Sequence, residues 1–308
     1  MMSISKKVSV ILPTRNRAEY LRSSIDSIIG QTYSNWELII VDGASTDNTS
    51  LVSKEYVEMD HRIRYHKSFP RQGLPRDRNI GISLSNGDYI FFIEDDLTLE
   101  PNCLEILVST FDELISQGEN VGAVTPRTII PKKESAGYLK SIWDYIGNSK
   151  RKKINGPCYL DERTGIVYWN FQIDSKKIQE TMDSQSWSLL DRQTLNKIGG
   201  FEEKAYRGTY IREEADLFFR LRNKGYKLYF QPKAIAYHTR ADTGGCNVLS
   251  IRYYYYFVRN HIVFLIRNFG WRALYMIPAF LSFIIYNTFL SMVMLSLMGR
   301  NASDVNEI

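Results

Sequence analysis

Three short, mainly apolar runs, each stopped by a polar cluster, constrain this chain more than any other feature. Val8–Leu12 runs into Pro13-Thr14-Arg15-Asn16-Arg17, Trp36–Val41 into Asp42-Gly43-Ala44-Ser45-Thr46-Asp47, and Tyr89–Ile93 into Glu94-Asp95-Asp96. Runs of this length, bounded by turn residues, read as buried strands. Between them, Arg17–Ile29 places Leu21, Ile25, Ile28 and Ile29 at helical spacing. Helices are also predicted over Asp47–Tyr56 and Arg76–Leu84, the latter closed by Asn86-Gly87, and a third strand over residues 62–65. Strands alternating with helices predict an α/β fold with a mainly parallel sheet. Ligands of such sheets bind beyond the carboxyl ends of the strands, so the three polar clusters are expected on one edge.

The second half predicts a strand at Val121–Thr125, a helix ending at Gly199-Gly200, a helix from about Glu213 to Asn223, and short strands at Tyr226–Phe230 and Ala234–Tyr237. Residues 132–176 show no clear pattern, and no internal repeat is visible. From Arg252 the chain changes in kind. Tyr253–Ile266 is aromatic and apolar, broken by Arg259, Asn260 and His261, and Ala273–Met298 contains no charged residue. The latter is long enough as a helix to cross a bilayer core. It either spans, with the preceding arginines held on the cytosolic side, or packs as a hairpin or dimer core while Tyr253–Ile266 lies in the membrane interface, Pro278 allowing a bend.

Charge and cysteine content narrow the function classes. Arg252, Arg259, Arg267, Arg272 and Arg300 account for the whole formal charge of +5, so the rest of the chain is neutral. The basic excess therefore says little about nucleic acid, which is not expected as a partner, and marks the C-terminal region as different in kind. Cys103, Cys158 and Cys246 are widely spaced, which supports neither a disulfide framework nor a zinc ribbon and points to a reducing compartment. The apolar run before Pro13 is too short for a signal-peptide core. Asn48-Thr49-Ser50 and Asn301-Ala302-Ser303 match the glycosylation sequon, the first within an expected ligand-binding loop. There is no Gly-x-x-x-x-Gly-Lys-Ser/Thr loop and no Gly-x-Ser-x-Gly elbow. Lys150-Arg151-Lys152-Lys153 reads as a solvated loop, or as a contact for anionic lipid or phosphate.

Each polar cluster has a plain and a chemical reading. Three adjacent carboxylates, Glu94-Asp95-Asp96, repel one another unless solvent or a hard divalent cation compensates; such a cation could hold a diphosphate. Asp42 at a strand end can accept hydrogen bonds from a base or ribose, yet Ser45, Thr46 and Asp47 would equally suit a turn or helix cap. Arg76 and Arg78 could meet phosphate or coat a helix face. Glu213-Glu214-Ala215-Asp216 could complement a helix dipole or supply a general base. His238 is a structural histidine, or a third metal ligand if the acidic turn lies beside it.

Together and in this order, the motifs resemble those of inverting family 2 glycosyltransferases of the GT-A fold, over about residues 6–240. Val8–Arg17 resembles the family's opening strand and loop, Leu38–Asp47 its nucleotide-binding loop, and Phe92-Ile93-Glu94-Asp95-Asp96 its Asp-x-Asp metal motif. Arg78-Asn79-Ile80-Gly81 with Asn86–Ile90 resembles another family segment. Lys197–Glu203 resembles the Gly-Gly-Phe-Asp-Glu segment, and Glu213–Leu217 the Glu-Asp-x-Asp-Leu segment that holds the base. Tyr253–Asn260 is similar to a stretch of membrane-associated members.

The resemblance implies metal-assisted, single-displacement transfer of a sugar from a nucleotide-diphosphate sugar, a UDP-sugar foremost, to a hydroxyl of a lipid-linked or glycan acceptor. It implies Glu214 as base; Pro13, Thr14, Arg15, Asp42, Arg78 and Asp95 at the nucleotide; and Glu94, Asp96 and His238 at Mg²⁺ or Mn²⁺. Gln185, Ser186, Trp187 and Glu213 are expected at the acceptor. The catalytic domain would occupy residues 1–245, an interfacial segment 246–272, a membrane helix or anchor 273–300 and a tail 301–308, with the catalytic domain on the cytoplasmic face of the membrane and a homo-oligomer possible. Glu94 and Glu214 stand where the family has aspartates, and Gly43 replaces a common Asp or Asn, which leaves the donor sugar open. The alternatives are a sugar-nucleotide pyrophosphorylase, for which Arg15-Asn16-Arg17 lacks the glycines of a triphosphate loop, and a membrane-anchored saccharide-binding protein without activity.

Overall fold

The structure, a computed structural model, describes residues 5–130, 154–239 and 251–303, with side chains only from 252 to 289 in the last stretch. The basic run Lys150–Lys153, Cys246, the end of the tail and the side chains of the second sequon lie outside the described residues.

The main sheet has the order β3-β2-β1-β4-β10-β6-β11-β5, with β9 pairing on β11. Its parallel members are β1 (Val8–Thr14), β2 (Trp36–Asp42), β3 (Ile63–Lys67), β4 (Tyr89–Phe92), β6 (Val121–Ile129) and β11 (Lys227–His238). β10 (Leu189–Asp191) enters antiparallel between β4 and β6, while β5 (Leu97–Leu99) and β9 (Gln179–Thr181) run antiparallel to β11. A small separate sheet pairs β7 (Cys158–Asp161) with β8 (Ile166–Trp169).

Strand residues alternate between two apolar layers, as a sheet covered on both faces requires. Val8, Val10 and Leu12, with Leu38, Ile40 and Phe91, face α1 (Ala18–Ile29), α2 (Thr49–Met59) and α4 (Cys103–Ser116). Ile11, Ile39, Val41, Ile90 and Phe92 face the other way, toward α3 (Leu74–Leu84), α5 (Arg192–Lys197) and α6 (Glu213–Asn223). The expected mainly parallel sheet is therefore present.

Two departures matter for the site. The two short strands expected at 226–237 are one strand, β11, whose register shifts between Gln231 and Ile235, around Pro232. Proline cannot donate to the ladder, so the strand bulges there and continues. The second departure is β5. It follows the acidic triplet at once and pairs with the end of β11, Leu97 opposite His238. That pairing carries the histidine to the acids.

A third apolar cluster joins the β7–β8 hairpin and α6 to α7 (Ile251–Phe269) and the start of α8 (Ala273–Ser303). The helix α7 is fixed to the body by polar contacts. Buried Asp216 on α6 accepts from Tyr206 Oη at 2.9 Å, Arg220 Nε at 2.7 Å, and Arg267 Nε and Asn268 Nδ2 of α7, both at 3.0 Å. After a short turn, α8 folds back along α7, its Phe280 ring 4.1 Å from that of His261. Leu274, Leu281, Ile285, Tyr286 and Phe289 remain exposed.

α3 packs against β1 through Gly81, where an added Cβ would sit 2.3 Å from Ile11 Cγ2. Gly81→Ala is expected to lower unfolding stability by about 1–3 kcal/mol, the usual range for overpacking. Urea denaturation of the two proteins checks this.

Candidate active site

The first polar cluster is bound to the second by backbone and side chain alike. In the parallel register Pro13 lies opposite Val41 and Thr14 opposite Asp42. Gly43 N donates to Thr14 O at 2.9 Å, and Asn16 Oδ1 accepts from Thr46 N at 2.8 Å. Asp42 is fully buried; its carboxylate accepts from Ser45 N and Tyr65 Oη, each at 2.7 Å. Gly43 allows a close approach, since a Cβ there would meet Asp77 Oδ2 at 2.7 Å and that side chain would have to shift. Burial pushes the Asp77 carboxyl up, and the nearby charge of Asp42 adds to the effect. Arg15 is exposed at the mouth of this loop.

The third cluster joins the first through Asp95. Thr14 Oγ1 donates to Asp95 Oδ2 at 2.8 Å, and Arg17 Nε lies 3.8 Å from Oδ1. Burial pushes the Asp95 carboxyl up to about 7, against the opposing pull of Arg17 and Thr14. Ser24 of α1, fully buried, sits with its hydroxyl 2.7–3.1 Å from the carbonyls of Glu94, Asp95 and Leu97, pinning the backbone of the acidic turn.

Glu94, Asp96 and His238 converge, with one ligand atom from each lying within 4.8 Å of the others. His238 Nε2 is 3.3 Å from Asp96 Oδ1 and 3.8 Å from Glu94 Oε2. The two oxygens of Glu94 have separate tasks. Oε1 accepts from Ser186 Oγ at 3.1 Å and faces Arg78 Nη2 at 3.4 Å, whereas Oε2 turns to the histidine. Burial pushes the Glu94 carboxyl up, reinforced by Glu214, while Arg78 pulls it down. Two carboxylates and an imidazole at this spacing suit a hard or borderline divalent cation such as Mg²⁺ or Mn²⁺.

Arg78 binds this group to the start of α6. Its side chain is completely buried, with its guanidinium bonded to Glu213 and, at 2.8 Å, to Glu214 Oε1. Burial alone would lower its pKa, but Glu213, Glu214 and Glu94 outweigh that and raise it. The guanidinium is also 5.1 Å from the Phe201 ring. The neighbouring Asn79 holds the Gly-Gly-Phe segment: its amide donates to Phe201 O at 2.9 Å and accepts from Phe201 N at 2.8 Å. Gly200 has φ +63°, and a Cβ on it would lie 2.5 Å from Asn79 Oδ1, so glycine is needed twice over.

The structure thus gathers Glu94, Asp96, His238, Ser186, Glu213, Glu214 and Arg78 in one group, and Pro13, Thr14, Asp42 and Asp95 in an adjoining one. Gln185 and Trp187 are anchored to one side: Thr128 Oγ1 donates to Gln185 Oε1 at 2.7 Å and accepts from Trp187 Nε1 at 2.8 Å. The Trp187 ring meets His238 edge-on at 5.0 Å. Arg78, expected at the diphosphate, stands as counter-ion to three glutamates. Tyr65, Ser24 and Asp77 were not found from sequence. A serine on the apolar face of α1 was the one available signal for Ser24.

The profile of "Glycosyl transferase family 2" matches residues 9–199. The chain belongs to glycosyl transferase family 2. "Glycosyltransferase GlyA" of Streptococcus pneumoniae is 41% identical over 106 residues, 34% of this chain and 15% of that protein. "Putative colanic acid biosynthesis glycosyl transferase WcaA" of Escherichia coli is 36% identical over 152 residues, 46% of this chain and 54% of that protein. The chain therefore spans well under two thirds of these relatives. Among solved structures, S. aureus TarS 1-349 in complex with UDP-GlcNAc superimposes with a TM-score of 0.57 at 14% identity, covering 89% of this chain and 71% of that one. At that identity the likeness shows the fold, which is the GT-A arrangement.

Arg78→Met should destabilise the protein by about 3–5 kcal/mol, the usual cost of leaving buried charge uncompensated. Arg78→Lys should recover part of this, because it keeps the charge but loses the fork. Chemical denaturation of both variants measures the difference.

Proposed function

We propose that this family 2 protein is an inverting glycosyltransferase that transfers a sugar from a UDP-sugar to a hydroxyl of a lipid-linked or glycan acceptor. One observation carries this reading: Arg78 ties the carboxylates of Glu213 and Glu214 to Glu94 of the acidic turn, so a base candidate and a cation-binding group share one sheet edge. A TarS structure is described as a complex with UDP-GlcNAc, which supports a uridine nucleotide as the donor carrier.

In this reading Asp42, buried at the end of β2, receives the base, and Thr14, Arg15 and Asp95 line the path of the diphosphate. Glu94, Asp96 and His238 would hold Mg²⁺ or Mn²⁺, which when bound supplies positive charge to the leaving nucleoside diphosphate. Glu214 is only partly buried and keeps one oxygen on Arg78, leaving its carboxylate able to take a proton from an acceptor hydroxyl as that hydroxyl attacks the anomeric carbon. Ser186 and Glu213 act through neighbours, holding Glu94 and Arg78 in place. Gln185 and Trp187 flank the acceptor side.

Glu214→Gln should lower sugar transfer by at least 100-fold, in the range of lost general-base catalysis, while UDP affinity changes less than threefold. Radiolabelled transfer and calorimetric titration of UDP check the two halves, and undiminished transfer would remove Glu214 from the role. Chelation by EDTA should abolish transfer, with Mn²⁺ or Mg²⁺ restoring it.

We also propose that the chain works at a membrane surface. The segment Arg252–Phe289 is, among the described residues, long and apolar enough to cross a membrane, and only 17% of its most apolar window is buried. Replacing exposed Leu274, Leu281 and Ile285 together by Glu should release the protein from vesicles in a flotation assay. Retained flotation would count against that surface.

A further inference from the structure

Among the described residues, Arg212 has no hydrogen-bonded or ion-paired partner, and it lies beside the proposed base in sequence. It immediately precedes Glu213 and Glu214 and adopts the left-handed conformation, φ 79°, as does Tyr210 two residues earlier, φ 56°. Such a conformation strains a non-glycine residue and persists where its surroundings hold it. Its Nε is sealed from solvent without a hydrogen-bond partner, and its guanidinium forms no hydrogen bond or ion pair to any described residue. The ring of Phe264 in α7 lies 5.7 Å from its guanidinium carbon.

The groups around it come from elements remote from the nucleotide loops. Asp183, Tyr168, Tyr206, Tyr253 and His261 all interact with it electrostatically. Of these, Tyr206 is already committed to Asp216, and His261 Nε2 to Thr164 O. Asp183 is fully buried; its Oδ2 accepts from Trp169 Nε1 at 2.9 Å and its Oδ1 has no partner. Burial pushes the Asp183 carboxyl up to about 6, with Trp169 and Ser184 opposing the rise and Glu214 adding to it. Asp183 therefore lies within electrostatic reach of both the base and Arg212. A guanidinium presents five N–H donors in a planar fork that matches phosphate and carboxylate oxygens. Glu213 and Glu214, the next two residues, are paired with Arg78, as is Glu94, so Arg212 forms no ion pair with any of these three glutamates.

Building on the proposed transferase activity, we infer that Arg212 forms an anion subsite on the acceptor side of Glu214, holding a phosphate or carboxylate borne by the acceptor. A lipid-linked acceptor would bring a phosphate there, and an acidic glycan a carboxylate. Phe264 backs the fork, and buried Asp183 lies within its electrostatic reach.

The test uses the full chain saturated with UDP and Mn²⁺, so that the donor side is filled. Geranyl phosphate, methyl β-glucuronoside and methyl α-glucoside are each titrated by calorimetry into wild type, Arg212→Gln and Arg212→Lys. One of the two anions should bind wild type at least tenfold more tightly than Arg212→Gln and at least threefold more tightly than Arg212→Lys. UDP affinity should stay within twofold in all three proteins, which shows that the fold and the donor side are intact. The anion preferred identifies the acceptor as lipid phosphate or acidic glycan. Equal anion affinity in wild type and Arg212→Gln, no binding of either anion, or preference for the neutral glucoside overturns the subsite. Should UDP itself fail to bind wild type, the transferase reading falls, while Arg212-dependent anion binding would still uphold the subsite.

Discussion

A single buried guanidinium organises the working edge of this protein. Arg78, on α3, has no exposed surface and bonds to carboxylates from the acidic turn after β4 and from the first turn of α6. Three acids brought so close would repel one another and pull the elements apart. With the arginine between them, the same charges define where those elements sit. A buried ion cluster of this kind contributes little net stability by itself, but removing its central charge is costly. The arrangement is therefore better understood as fixing geometry than as holding the fold together.

The apolar layers hold the fold. Strand side chains alternate between the α1–α2–α4 layer and the α3–α5–α6 layer, and the polar clusters emerge only where the strands run out. Ser24, Asn79 and Gly200 then trim the loops. Each joins a loop backbone to a helix that is itself fixed by the core. Asp216 extends the same logic outward, since one buried carboxylate ties α6 to Arg267 and Asn268 of α7. The helix carrying Glu214 and the helix leading into the exposed apolar segment thus share an anchor.

Much of this edge was legible in the chain. β1, β2 and β4 were readable because buried strands leave uninterrupted apolar runs, and α6 was readable because acids open it and apolar residues follow at helical spacing. The short strands β5 and β10 were not readable. Three residues carry too little periodicity, and both exist only because an antiparallel neighbour accepts their hydrogen bonds. The split of β11 into two expected strands has a local cause. Pro232 breaks the pattern, but the bulge lets the ladder resume.

By itself, the sequence determined that an α/β sheet would collect its polar clusters along one edge, because strand ends and polar turns are local properties. It also supplied the acids, the histidine and the arginines. Only the tertiary structure decided which of them meet. Arg78 became the partner of Glu94, Glu213 and Glu214, and His238 came to Asp96 through the pairing of β5 with β11. Arg212 Nε was left buried without a hydrogen-bond partner among the described residues. Charge pairing across more than a hundred residues depends on how the layers stack, and no local pattern encodes that.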